Sequence, residues 1–393
     1  KQIDKALEKG QKHLTWRSHA IDEYIRETTT LVKEAYDTLI ALKSNMHGVS
    51  RVLEQWASVP LMRRKSTKTY APAEFEEEHQ QQLNARYAEI SEGGKEIHKL
   101  LLASNRVLKV SKGAPTWRAY VEFINDIVID GLARTVATSL KYLNEQLDPA
   151  SLSNLETVAL LEVQLELEGS SITFRPELSD SSKQPSLHAM VDNWIKGFFH
   201  VCKLVKRLDR TEGDFLKEVA ESEEVRMFVH LIKHHVRTNE EECNKFKEPF
   251  IAYKPLWTQD VNLALQQFLR DNVPEAEDEG EEGGAPVVAA MADSLASVKP
   301  EPPLGLFDRQ IGHYKQQATA INLLQGSSSL GWLKVDAKPV KQALATWVTK
   351  WQFRYTSYLH DSVTGALDDL DGFMKRINEG LLRDVEPDDA EAH

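Results

Sequence analysis

The chain has 393 residues, 41% of them hydrophobic and 27% charged, with a formal net charge of −12. That acidic balance excludes nucleic acid and anionic membrane as general partners, since both call for a basic surface. Two cysteines, Cys202 and Cys243, imply no disulfide framework and fit a reducing compartment, and no apolar run of about 18 residues is present to span a membrane.

The chain opens on Lys1, with no signal peptide, and a periodic pattern is already running by Ile3, so it reads as a segment of something longer. From Ile3 to about Trp56 apolar residues recur at helical spacing, with gaps of three and four and one of seven: Ile21, Ile25, Val32, Ala35, Leu39, Leu42, Met46, Val49, Leu53, Trp56. One narrow stripe over about 50 residues predicts a long helix of a bundle or coiled coil, bent near Gly48. Pro60 stops it, and Arg63-Arg64-Lys65 with Lys68 form a basic turn. Such a run is ordinarily solvated; contact with an acidic partner is the sharper reading.

A second helix is predicted from about Ala73 to Val110, with Phe75, Leu83, Tyr87, Ile90, Ile97, Leu101 and Leu108 in its stripe, broken by Ser111-Lys112-Gly113-Ala114-Pro115. Thr116 is placed to cap the next helix, about Trp117–Leu147, whose wide apolar face marks a buried element. The pattern then changes. Leu161, Val163, Leu165 and Leu167 alternate with Glu162, Gln164, Glu166 and Glu168, the period of a strand with one buried face. Gly169-Ser170-Ser171 supplies the turn, Ile172-Thr173-Phe174 the returning strand, and Pro176 the stop. A lone hairpin is barely stable in water, so helices should cover it.

Beyond a polar loop at 179–185, helices are expected at about Leu187–Leu208, Asp214–Ala220, Glu223–Phe246 and Gln259–Leu269, with Pro249 and Pro255 in the connection before Trp257. Residues 273–303 hold six acidic residues between Glu275 and Glu282 and too little hydrophobicity to form a core; they read as a flexible insert. A helix at Leu304–Leu324 and a loop at Gly326–Leu330 follow. The last helix starts at Asp336, a good N-cap, with Pro339 in its first turn, and carries Val340, Leu344, Trp347, Trp351, Tyr355, Leu359, Val363, Leu367, Leu370, Met374 and Ile377 until Gly380 terminates it. The resulting segmentation is 1–148 (long-helix bundle), 149–178 (hairpin junction), 179–272 (second bundle), 273–303 (acidic insert), 304–382 (third bundle) and 383–393 (acidic tail).

The expected fold is thus all-α: an elongated rod of successive antiparallel helical bundles with one small β-hairpin at about Leu160–Phe174. Chemistry is hard to find on it. Gly94-Lys95 is the sole echo of a phosphate loop, but Glu89 stands where glycine is required and Glu96 follows the lysine. His230 and His234 are four apart, with His235 adjacent and Glu241 and Cys243 downstream. H-x-x-x-H holds zinc when a third ligand converges, yet Leu231 occupies the place of a general base, and a solvated helix face is the reading preferred. Glu76-Glu77-Glu78, Glu240-Glu241-Glu242 and Asp368-Asp369 point in different directions on a helix and share no site. Trp347 and Trp351 lie on one face, where aromatic spacing means core before it means a partner-binding ridge. No catalytic, cofactor-binding or metal residue is assigned.

Three stretches carry a resemblance: YVEFINDIVIDGLARTVATSLKYLNEQLDP ending at Pro149, the hairpin at Leu160–Leu178, and Leu304–Leu381 with LFDRQIGHYKQQATAI and GWLKVDAKPVKQALATWVTKWQFRYTSYL. Together they resemble the N-terminal tail of dynein heavy chains, the axonemal outer-arm kind more than the cytoplasmic kind. The likeness runs from about Ala73 to Leu381 and is most specific in the hairpin and in Trp332–Pro339. The acidic insert matches no family pattern, and the first helix only in character. The resemblance implies a non-catalytic stem of helical bundles that holds heavy chains together, carries intermediate and light chains, and anchors the motor through docking proteins on ciliary doublet microtubules. It implies that ATP and Mg belong to a motor domain outside this chain, and a place in the cytoskeleton of the cilium or flagellum. A cytoplasmic dynein tail is the runner-up. An unrelated helical tether would give the same stripes, although a spectrin-like chain would show a repeat that is not seen here.

Overall fold

The computed structural model describes residues 2–13, 21–148, 158–179, 186–208, 213–272 and 302–383. By contact the chain divides into two compact units, one of residues 1–163, 176–242 and 329–334, the other of 164–175, 243–328 and 335–393.

The first unit is built on α1 (Gln2–His13), α2 (Ile21–Ser58), α3 (Pro72–Leu108) and α4 (Pro115–Leu147). The single helix expected from Ile3 is described as α1 and α2, with 14–20 outside the described residues, and α2 runs through Gly48. An alanine-sized side chain at Gly48 would sit 2.9 Å from Leu100 Cδ1, and one at Gly93 2.8 Å from the Trp56 indole. Position 48 therefore meets 100 while 56 meets 93, so α2 and α3 run antiparallel in close contact. At Gly131 of α4 the same test meets Leu53 at 2.7 Å. Around these approaches Leu53, Trp56, Ile90, Ile97, Val128, Leu132, Val136 and Leu140 are all buried. Each such side chain contributes about 1.5–3 kcal/mol relative to exposure. Thr116 does not cap α4. Ala114 holds the N-cap position with no side-chain bond, and Pro115 stands first, where its missing N–H costs nothing.

The helix expected over 187–208 is two pieces, α5 (Leu187–Phe199) and α6 (Val201–Leu204), followed by α7 (Leu216–Glu221). Ser186 caps α5 by accepting from Ala189 N at 3.0 Å. Next, α8 (Glu223–Ile251) continues past the expected end at Phe246 and takes Pro249 into its last turn.

The second unit holds α9 (Pro255–Thr258), α10 (Val261–Asp271), α11 (Leu304–Leu323) and α12 (Lys338–Arg383), which runs through Gly380 instead of ending there. Asp336 does assist its start, accepting from Lys338 N at 3.0 Å. Lys341 bonds the Leu324 and Asn322 carbonyls at 2.6 and 3.0 Å, satisfying the open C-terminus of α11. The core here is aromatic. Phe268 meets Phe307 and Tyr355 edge-on at 5.0 and 5.4 Å, and Tyr314 meets Trp351 at 5.4 Å. Burial lifts the Tyr314 and Tyr355 phenols above their ordinary pKa.

The β element is larger than one hairpin. β1 (Leu161–Glu168) and β2 (Ser171–Arg175) pair antiparallel in the register Leu165↔Phe174 and Leu167↔Ile172. Gly169 at φ 59° makes the turn, and Pro176 follows the last residue of β2. Where a loop was expected there is β3 (Ser327–Leu330), joined through Gly331 at φ 53° and Trp332 to β4 (Leu333–Asp336); the sheet order is β2-β1-β4-β3. Leu161, Val163 and Leu165 of β1, and Leu333, Val335 and Ala337 in and after β4, are buried. Leu167, expected on the same inward face, is only partly covered.

Candidate functional site

The residues singled out in the sequence are not brought together. His230, His234 and Glu241 lie exposed on α8, Cys243 is buried on the same helix, and His234 and His235 do no more than place their rings 5.9 Å apart. Among the described residues no group of three or more His, Cys, Asp or Glu is arranged to hold a metal ion. Gly94 faces Val205 from the middle of α3, and Lys95 pairs with Glu92 at 2.9 Å on its surface, far from the strand-to-helix turn a phosphate loop requires. Of the tryptophan pair, Trp351 is core, donating Nε1–H to the Leu256 carbonyl at 2.8 Å; Trp347 is half-buried beneath Lys350, whose Nζ lies 4.6 Å from the ring.

The basic turn is absorbed by its own unit. Arg64 donates to the Val158 and Ala159 carbonyls at 3.1 and 3.2 Å and to the Lys68 carbonyl, while its backbone N–H donates to the Tyr142 hydroxyl at 2.9 Å. Burial pulls the Arg64 pKa down, with Tyr70 and Tyr142 opposing. Lys68 pairs with Glu74 and lies over the Tyr70 ring at 4.9 Å. Tyr70 then forms a parallel bridge to Leu161, with Tyr70 N to Leu160 O at 3.0 Å and Glu162 N to Tyr70 O at 2.9 Å. On the other edge Leu160 N donates to Trp332 O at 2.8 Å. Arg64 and Tyr70 thus make the turn a clasp on β1, while Arg63, Lys65 and Lys68 remain exposed as a solvated run would.

Behind the clasp lies an aromatic cluster. His79 of α3 meets Phe75, Trp194 and Phe198 at ring distances of 6.2, 5.6 and 5.9 Å. It is 3% exposed and its Nε2 has no hydrogen-bond partner. Burial lowers its pKa to about 4, so at neutral pH it is an uncharged ring in an apolar setting. Cys202, also buried, has its thiol pushed up to about 12, mainly by burial and secondarily by Asp214, which makes it a poor nucleophile.

A concavity runs between α2 and α3. A groove of about 620 Å³ is lined by Ile40, Lys43, His47, Arg51, Glu96 and Leu100. A neighbouring depression of about 350 Å³ continues it past Val52, Trp56, Glu89 and Glu92. Lys43, His47 and Arg51 stand at i, i+4 and i+8, so they form one ridge along α2. That spacing is visible in the sequence, but without α3 beside it nothing distinguishes it from any solvated helix face.

No protein-family model matches the chain. Individual proteins do. Over 379 residues, 96% of the chain, it is 37% identical to the dynein beta chain of the flagellar outer arm of Chlamydomonas reinhardtii. Over 98% of the chain it is 28% identical to the ciliary dynein beta chain of Tripneustes gratilla and 24% identical to human dynein axonemal heavy chain 17. The chain spans about 8% of the length of each of these relatives. From end to end, then, the chain is homologous to one short stretch of axonemal dynein heavy chains.

Proposed function

We propose that the chain is a non-catalytic stem segment of an axonemal outer-arm dynein heavy chain, serving assembly and force transmission in the ciliary motor. The observation that carries this reading is the 37% identity to a flagellar outer-arm dynein beta chain over 96% of the chain. The architecture suits the role. Long helices side by side, with extended surfaces in place of a deep pocket, resist bending and offer length for other chains to lie along. The partners proposed are other dynein heavy chains, intermediate and light chains, and docking proteins of the doublet microtubule. Nucleotide chemistry is assigned to parts of the heavy chain beyond this stretch.

Purified chain incubated with Mg-ATP is expected to release no phosphate above background; nucleotide-specific turnover would overturn the non-catalytic reading. Tagged full-length protein expressed in ciliated cells is expected in the axoneme. Retention in the cell body together with cytoplasmic dynein chains would favour the cytoplasmic alternative, and an absence of dynein chains from the purified complex would favour an unrelated tether.

A further inference from the structure

We propose that the α2/α3 groove is a docking site for one acidic amphipathic helix of a partner protein. Ile40, Val52 and Leu100 give the groove an apolar strip, beside the polar side chains of Ser44 and Asn45. Leu100 lies flat over the backbone of α2 because position 48 is glycine. Ile40 is 49% exposed, and Tyr36 and Leu39, 63% and 66% exposed, extend the apolar surface along α2.

One wall is basic. Lys43, His47 and Arg51 are exposed, and among the described residues none has a carboxylate partner. The acidic wall is already neutralised on α3 itself, where Glu89 pairs with Arg86, Glu92 with Lys95 and Glu96 with Lys99. At the groove the α3 carboxylates thus have basic partners while Lys43 and Arg51 have no acidic ones among the described residues, on a chain of net charge −12.

Helical geometry selects the occupant. Residues i, i+4 and i+8 span about 12 Å at 1.5 Å per residue. A helix lying along the seam presents carboxylates at the same interval from one flank while its apolar stripe faces the apolar strip, the helix-in-groove mode of recognition. Two cations and a histidine on a strongly acidic chain are too few for a nucleic-acid track. A two-fold pairing of this surface with itself would bring unpaired cations toward carboxylates that already have partners. The proposal is independent of the stem reading.

The test uses the whole chain and a fluorescent helical peptide of about 20 residues. The peptide has a heptad apolar stripe and glutamates at three successive four-residue steps on one flank. Saturable binding that weakens with salt is expected. Lys43→Glu/Arg51→Glu should weaken it about tenfold or more, since close charge pairs become repulsive. Lys43→Gln/Arg51→Gln should weaken it less, and Arg309→Glu/Lys315→Glu at exposed positions of α11 should leave it unchanged, with circular dichroism the same for all. No saturable binding, equal binding of a glutamine-for-glutamate peptide, or binding indifferent to the groove reversal would overturn the proposal. Self-association abolished by the reversal would overturn it in favour of a second copy, and equally sensitive binding to anionic phospholipid vesicles in favour of a membrane.

Discussion

His79 shows what a single buried ring does to the first unit. Its folded pKa is about 4, against about 6.5 in an unfolded chain. As pH falls from 6.5 to 4 the unfolded state takes up a proton that the folded state refuses, so stability present above pH 6.5 is lost across that window. The shift corresponds to about 3 kcal/mol at most. Thermal melts are expected to show a fall in Tm between pH 7 and 4.5, and His79→Phe should flatten that dependence. An identical pH slope in the variant would assign the acid sensitivity to other groups. The sequence places Phe75, His79 and Leu83 on one face of α3, but it gives no sign that Trp194 and Phe198, more than a hundred residues later, close over the histidine.

Among the elements, closeness of approach decides the sign of a substitution. Gly131 sits where α4 touches α2, and an added Cβ would lie 2.7 Å from Leu53. Overpacking of this kind costs about 1–3 kcal/mol, more than the gain in helix propensity from Gly→Ala. Gly372 on α12 has nothing within 4 Å of the same position. Gly131→Ala is therefore expected to lower the denaturation midpoint and Gly372→Ala to leave it unchanged or raise it; the reverse order would refute the contact. Val163 is fully buried on β1, and Val163→Asp places a charge there without a partner. That should cost several kcal/mol, and an unchanged melting profile would show β1 to be dispensable.

The elements also show which patterns a sequence exposes. β1 was legible because four apolar residues alternate with four polar ones. β3 was not, because Ser327-Ser328-Ser329-Leu330 has no apolar alternation and takes its place in the sheet from pairing with β4. In β4 a signal existed, since Leu333, Val335 and Ala337 are spaced by two and all buried, but the run is only four residues long and merges into the helix that follows. Ala114 in place of Thr116 at the start of α4 has a similar cause. Proline at the first helical position pre-sets the backbone and removes the need for a side-chain cap.

At the scale of the whole chain, helical character follows from periodicity alone, whereas the grouping of helices does not. Residues 176–242 join 1–163 in one unit because the contacts of Tyr87 with Gly197 and of Phe75 with Trp194 are long-range, and no linker composition announces them. The groove beside α2 was hidden for the same reason. It needs a second helix to turn the spaced Lys43, His47 and Arg51 into a wall.

One helix spans two regimes. In α12, Val340, Leu344, Val348, Trp351 and Tyr355 are buried, while Val363, Leu367, Leu370, Phe373, Met374 and Ile377 are 38–60% exposed on the same continuous rod of backbone hydrogen bonds. Its first half is held by tertiary contacts and its second by little beyond its own ladder, which in water is marginal over about 20 residues. Amide protons before Ser362 should therefore exchange slowly and those beyond it orders of magnitude faster, within a single helix. That step would act as a built-in gauge. Any chain that settles on the Leu367–Ile377 seam erases it, so occupancy is readable by deuterium uptake without a label; uniform protection in the isolated chain would refute the division.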